Sequence, residues 1–332
     1  MRIGERIVKN QDISYVSGSK QTLQNPSTGN AWKKLLLTLR GQVTVIAGTS
    51  YIDTVNGFEK IIDEVRCTIT DNDGSHTIKS YNISHAIQQD AIYENMATYT
   101  TADPTVIGVY PIEITTSIDY DYQGAEFNEE ENFNPSLSTI LATDEEKAHV
   151  KSIIFEIVWS TLAKVFTAPA NVTIDNLVAE ITTIELPDVQ SDSRFLFNSE
   201  NTVSTTFSAS NNRLRIPVRS GNLLSRLYIT AREGANLLQS NALINNVQLE
   251  VDNSILKNIS FLNLRAKNIK DNWIETGLLR TGNAILEIDN GKFDSLLNTL
   301  QYSQVNLILD VNAPAAGSGQ IDVVVQDIIV AP

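Results

Sequence analysis

Apolar and polar side chains alternate from Val65 through Cys67 to Ile69, and again from Val247 through Leu249 to Val251. A period of two is the mark of a strand with one buried face. The two stretches correspond at a constant spacing of 182: Ile62 falls on Ile244, Val65 on Val247, Cys67 on Leu249 and Ile69 on Val251. A second correspondence follows at a spacing of 178, where Ile78-Lys79-Ser80-Tyr81 falls on Leu256-Lys257-Asn258-Ile259. The change of four falls at Asp71-Asn72-Asp73-Gly74, a turn sequence that can absorb length. The chain therefore reads as an internal duplication.

The remaining pattern is mostly strands. In the first copy they are expected at 35–39 and 43–46, on either side of Arg40-Gly41, and at 65–70 and 77–83. Ile87, Ala91 and Ile92 recur at helical spacing and predict a short helix over 84–96 lying on a sheet. A long strand region at 106–118 contains Pro111, which suggests an edge or a bulge. Strands at 153–159 and 172–184 close the copy across Ala168-Pro169-Ala170-Asn171. The second copy repeats this plan. Strands are expected at 214–218, 227–230 and 278–288, helices at 261–268 and 293–300, and closing strands at 305–311 and 321–330 around Pro314. Residues 187–193 read as a linker. The expected divisions are an N-terminal arm over 1–30, a first barrel over 31–190 and a second over 191–332.

One length difference is informative. The step from Val65 to Ile157 is 92, whereas the step from Val247 to Leu309, its counterpart in the second copy, is 62. The excess is close to the length of 119–149, which reads as a loop insertion. It carries Asp119, Asp121, Glu126, Glu129, Glu130 and Glu131. Carboxylates at that density repel one another and favour water, so the insertion is expected on a surface.

Composition narrows the function. The 332 residues suffice for two cores. The net charge of −14 argues against a general affinity for phosphate backbones. The charge is uneven. Through Lys34, six basic residues face only Glu5 and Asp12, giving +4 and leaving −18 for the rest. The arm reads either as a solvated tail or as a contact with an anionic surface. A single cysteine, Cys67, excludes an intrachain disulfide framework. There is no run of about 18 apolar residues to span a membrane. The first residues lack the apolar run of a signal peptide. His76, His85 and His149 have no metal-ligand spacing. Asp71-Asn72-Asp73-Gly74 lacks the distal glutamate of a calcium loop. No nucleophile elbow, phosphate loop or dinucleotide fingerprint occurs. The expectation is a protein that is not an enzyme, with no cofactor.

An all-β chain carrying two copies of one pattern suggests two eight-stranded jelly-roll barrels in tandem, with a short helix after a strand pair in each. At residues 35–47, in the paired segments 62–96 and 244–268, and in the two-strand endings of both copies, the sequence resembles the double jelly-roll major capsid proteins of tailless icosahedral bacteriophages with an internal membrane, of the corticovirus and finnlakevirus kind. The resemblance covers most of 31–332. It implies upright barrels, homotrimers of pseudo-hexameric outline and a shell in the virion, built from chains synthesised in the host cytoplasm. The implied partners are the chain itself, neighbouring capsomers, minor capsid and vertex proteins and, by weak contact, the internal lipid membrane, with no sequence-specific nucleic acid. Arg2, Arg6 and Lys9 are then expected on the inner, membrane-facing side, and the acidic loop on the outer surface. A carbohydrate-binding or adhesin-type jelly roll is the alternative, because fold does not fix function.

Overall fold

The structure is a computed structural model. It describes residues 6–25, 31–53, 56–70, 74–93, 104–119, 141–142, 152–186, 196–218, 221–234, 236–271, 279–288, 296–315 and 317–330. The chain forms two compact units, which meet in sequence between Phe197 and Asn198. The expected linker at 187–193 lies outside the described residues.

In the first unit the strands are β1 (Arg6–Lys9), β2 (Ile13–Ser14), β3 (Lys20–Asn25), β4 (Ala31–Val45), β5 (Ile62–Thr70), β6 (Ser75–Tyr81), β7 (Gly108–Asp119), β8 (Leu141–Ala142), β9 (Ser152–Trp159) and β10 (Val172–Leu186). Helix α1 (Ile83–Tyr93) follows β6, and a single turn, α2 (Leu162–Val165), follows β9. One layer has the order β1-β10-β4-β7, with β2 on β10 and β8 on β4; in the other, β3, β9, β5 and β6 lie side by side. Alternation builds the core between them. Leu35, Leu37, Leu39, Val43 and Val45 of β4 and Val65, Cys67 and Ile69 of β5 are buried, while the residues between them are less so.

The second unit holds β11 (Leu196–Phe207), β12 (Asn211–Pro217), β13 (Leu223–Glu233), β14 (Leu238–Gln239), β15 (Ile244–Val251), β16 (Ser254–Ser260), helix α3 (Phe261–Asp271), β17 (Asn283–Glu287), β18 (Leu297–Asn298), β19 (Val305–Val311) and β20 (Gly319–Val330). Its layers are β11-β20-β13-β17, with β14 and β18 also on β13, and β12-β19-β15-β16. One apolar cluster joins both layers and α3, from Ile216, Leu227 and Val247 to Phe261, Leu309 and Val323. Each unit thus has two layers of four strands, plus two-residue pieces: the jelly-roll plan, twice.

The duplication holds at the level of register. Val65 faces Tyr81 on one side and Ile157 on the other; Val247 faces Ile259 and Leu309. Bulges recur at matching places. On β6 the register skips Ile78, between the partners of Cys67 and Thr68; on β16 it skips Leu256, between the partners of Leu249 and Glu250. The change of four read in the sequence divides in two. The first hairpin carries one more residue pair, reaching Thr70↔Ser75, and a connection longer by two. In the second, Val251 pairs with Ser254 across Asp252 and Asn253, which both have positive φ. Two such residues make a tight hairpin turn that follows the strand twist.

Three expectations are corrected. Residues 6–25 are not a separate arm. β1 pairs with β10, Arg6 opposite Glu185, and β3 pairs with β9, Leu23 opposite Phe155. In the second unit β11 lies on β20 and β12 on β19, with Ile216 opposite Leu307, so β1 and β3 are the same two strands of the first barrel. The two strands expected on either side of Arg40-Gly41 are one: β4 runs through it for 15 residues. Gly41 instead faces a bulge in β10 between Asp175 and Val178, and a Cβ there would lie 2.6 Å from the Leu177 Cα. Residues 293–300 are not a helix where they are described, because Leu297–Asn298 pairs with β13 and a single 3-10 turn follows at Thr299–Gln301. Pro111 lies on β7 at the end of its sheet, where its missing N–H predicts.

Candidate assembly surface

Of the residues singled out for function, Arg6 and Lys9 lie exposed on β1, and Lys9 forms an ion pair with Asp12 at 3.5 Å. Asp119 ends β7 opposite Lys34. Arg2, Asp121, Glu126, Glu129, Glu130 and Glu131 lie outside the described residues. The structure therefore brings Arg6, Ile7 and Lys9 onto one outer strand, and assembles no acidic cluster among the described residues.

Among the described residues no group of three or more His, Cys, Asp or Glu is placed to hold a metal ion, and no helix is long and apolar enough to cross a membrane. Cys67 is buried. A cavity of about 270 Å³ lies beneath α3, lined by Ile259, Leu264, Ile285 and Leu286, with Lys257, Lys267 and Glu287. Its polar groups bind one another: Lys257 Nζ donates to the Glu287 carbonyl at 2.7 Å, and Lys267 lies 3.7 Å from the Glu287 carboxylate.

Charged groups on the outer faces are also paired internally. In the first unit Glu156 takes Lys20 at 2.5 Å and Arg66 at 3.9 Å; in the second Glu250 takes Arg213 at 2.5 Å and Arg215 at 3.1 Å. Arg265 on α3 donates to the carbonyls of Arg280 and Asn283, and burial lowers its pKa from the usual arginine value.

A polar side chain fastens each helix to the strand that follows it. The Asp90 carboxylate accepts from Thr116 Oγ1 at 2.7 Å, Ser117 N at 2.8 Å and Ser117 Oγ at 2.5 Å. Asn268 donates to the Ile285 carbonyl and accepts from the Ile285 N–H, both at 2.8 Å. The spacing from Asp90 to Asn268 is 178, the same as that of the hairpins before them. Neither residue stands out in the sequence by itself. Extending the hairpin spacing into the helices is the signal that aligns them.

The two units differ in how far matching positions are exposed. Within their own units β6 and β16 each end a layer, as do β1 and β11. The bulge residue is fully buried at Ile78 (0% exposed) but open at Leu256 (52%). Ile255 (56%), Leu262 (64%) in the first turn of α3, and Ile7 (69%) on β1 are exposed as well. An apolar strand edge in water invites another strand.

Whole-chain comparison with solved structures agrees with this architecture. The STIV MCP, from Sulfolobus Turreted Icosahedral Virus, superposes with a TM-score of 0.75 at 12% identity, covering 98% of this chain and 97% of that one. The major capsid protein P2 from bacteriophage PM2 gives 0.63 at 10% identity over 99% and 98%. The PBCV-1 virus capsid gives 0.60 at 10% over 100% and 98%. The fold is that of viral major capsid proteins. No family model and no curated protein matches the sequence. At such identities the likeness is one of fold. The neighbours include a Sulfolobus virus as well as the bacteriophage type suggested by the sequence.

Proposed function

We propose that the chain is a structural major capsid protein, whose pseudo-hexameric homotrimers tile an icosahedral shell around an internal membrane. The observation that carries this reading is the repeated register: two barrels of one plan in one chain, matched along nearly its full length by the STIV MCP. Three such chains present six similar corners, and a six-cornered tile can cover a surface with one gene product. The role is architectural and involves no catalysis. An adhesin or carbohydrate-binding role draws no support from neighbours that are capsid proteins.

In the finer reading the barrels stand upright in the shell, and the acidic residues from Asp119 to Glu131 face outward. Arg2, Arg6 and Lys9 face the interior and touch lipid headgroups. The exposure of Arg6 and Lys9 supports this last point. Each basic residue near an anionic surface contributes about 1 kcal/mol, so a single chain is held weakly and an array of chains more firmly. Neighbouring capsomers, minor capsid and vertex proteins are the other partners. The protein's place is the virion, after synthesis in the host cytoplasm.

Light scattering on the purified chain tests the main reading. The expected species has three times the 36.6 kDa chain mass, or is a larger assembly of it. A species that stays at the mass of one chain at micromolar concentration overturns the proposal. Flotation with anionic liposomes tests the membrane contact. Changing Arg2, Arg6 and Lys9 together to Ala is expected to abolish salt-sensitive binding, and equal binding by both proteins removes the electrostatic role.

A further inference from the structure

We propose that the cavity beneath α3 in the second barrel is a binding site for a small aromatic carboxylate. The site is built within one unit. Its floor is apolar: Leu264 of α3 and Ile285 and Leu286 of β17 line it and are buried. Its rim is charged. Lys257 of β16 and Lys267 of α3 line it with Glu287 as the one carboxylate, so the ionised groups of the lining sum to +1. Lys267 lies 3.7 Å from the Glu287 carboxylate, whereas Lys257 Nζ reaches the Glu287 main-chain carbonyl at 2.7 Å. An apolar cavity with a few charged groups on one side selects a ligand with an apolar body and a head of opposite charge. The positive sum is set against a chain of net charge −14.

The first barrel shows what this place in the plan accommodates. At the spacing of 178, Lys257 falls on Lys79, Ile259 on Tyr81 and Leu264 on Ala86. Tyr81 is buried, and its ring meets the His85 imidazole of α1 edge-on, with centroids 4.8 Å apart. A phenol ring thus takes up the space between β6 and α1. In the second barrel the shorter Ile259, with Leu264 opposite it, leaves a cavity of about 270 Å³ between β16 and α3. A free aromatic ring would take there the place that Tyr81 takes in the first copy. Rings bury a large apolar area with few rotatable bonds, and the floor of Leu264, Ile285 and Leu286 supplies the matching surface. A carboxylate on the ring would lie at Lys257 and Lys267, where charge-assisted hydrogen bonds fix its orientation.

Calorimetric titration of the full chain with phenylpropanoate tests the site, with phenylpropanol as the neutral comparator. The expected result is saturable binding of one phenylpropanoate per chain, with a Kd of about 1 mM or tighter. The alcohol is expected to bind about five-fold more weakly. Lys267→Glu is expected to weaken phenylpropanoate by about five-fold and to leave the alcohol unchanged. Ile259→Tyr, which repeats the residue of the first barrel, is expected to abolish binding of both with an unchanged circular dichroism spectrum. Wild type that shows no saturable binding overturns the proposal. Equal affinity for acid and alcohol, or phenylpropanoate affinity untouched by Lys267→Glu, overturns the anionic class of the ligand. Binding that survives in folded Ile259→Tyr overturns the site. None of these results bears on the capsid reading, which stands or falls on the mass of the assembled species.

Discussion

Helices α1 and α3 hold the same place in the two barrels, have the same length of 11 residues, and meet water differently. On α1, Ile83, Ala86, Ile87, Asp90, Ala91 and Ile92 are all buried, together with Ser84 and Gln88. On α3 only a stripe through Phe261, Leu264 and Asn268 is buried, and Leu262, Asn263, Ala266 and Lys267 are exposed. What the two share is narrow: a large apolar residue at the start (Ile83, Phe261) and a hydrogen-bonding residue seven positions later (Asp90, Asn268). Those two points, with the hairpin register before them, suffice to place the helix. The rest of each surface is free to diverge, and it has diverged in the direction of burial for the first copy and exposure for the second.

The bulge residues give the largest contrast. Ile78→Ala removes a fully buried side chain and is expected to cost about 3 kcal/mol. Leu256→Ala, at the matching position, is expected to cost under about 0.5 kcal/mol in the isolated chain. Urea denaturation of the two variants measures both. Equal costs would mean that the two surfaces do not differ in the way their exposure indicates.

The helix fastenings come next. Asn268→Ala strands the Ile285 N–H and carbonyl in a buried place, for about 2 kcal/mol. Asp90→Asn is milder, about 1 kcal/mol, because the amide oxygen still accepts and the hydroxyls of Thr116 and Ser117 can turn to accept from its nitrogen. The reverse exchange, Asn268→Asp, sets an acceptor against the Ile285 carbonyl and should cost at least as much as Asn268→Ala. Thermal melts in which Asp90→Asn loses more stability than Asn268→Asp would show that the two fastenings are not of different chemical type.

The smallest effect lies on the outer face of the second barrel. Arg215→Ala leaves Arg213 on Glu250. The loss is expected to be small, at about 0.5 kcal/mol, and to fall with added salt. Chemical denaturation at low and high salt measures it. A loss above about 2 kcal/mol, beyond the range of an exposed ion pair, would make Glu250 dependent on both arginines.

Much of the fold was legible because strand alternation is local. The spacing of 182 between Val65 and Val247 could be read directly, and the partners Ile157 and Leu309 followed from the matching closing strands. The first barrel's opening strands were not legible. Arg6-Ile7-Val8-Lys9 lies at a sheet edge with three of its four residues exposed, so its composition is that of a tail. The continuity of β4 through Gly41 was not legible because the reason for that glycine, the backbone of Leu177, is remote in sequence. The role of Asp90 is illegible on the same ground: its partners on β7 lie 26 and 27 residues away, and nothing near it signals a buried carboxylate. The exposed apolar face of the second unit was least legible, since Leu256 and Ile78 are both apolar residues in similar strings. Only their burial tells which one faces water.

The pairing of β1 with β10 also sets a timetable for synthesis. Arg6 meets Glu185, so β1 has no partner until nearly 180 further residues have been made. At about 5–20 residues per second that wait lasts on the order of ten seconds or more, long compared with the microseconds in which a hairpin closes. The β5–β6 hairpin can form early in this interval, whereas the first barrel cannot close. A nascent chain therefore trails an unpaired strand while its neighbours on the same message do likewise. Errors of partner choice at that strand would depend on how crowded translation is, and slower elongation would lengthen the period of risk.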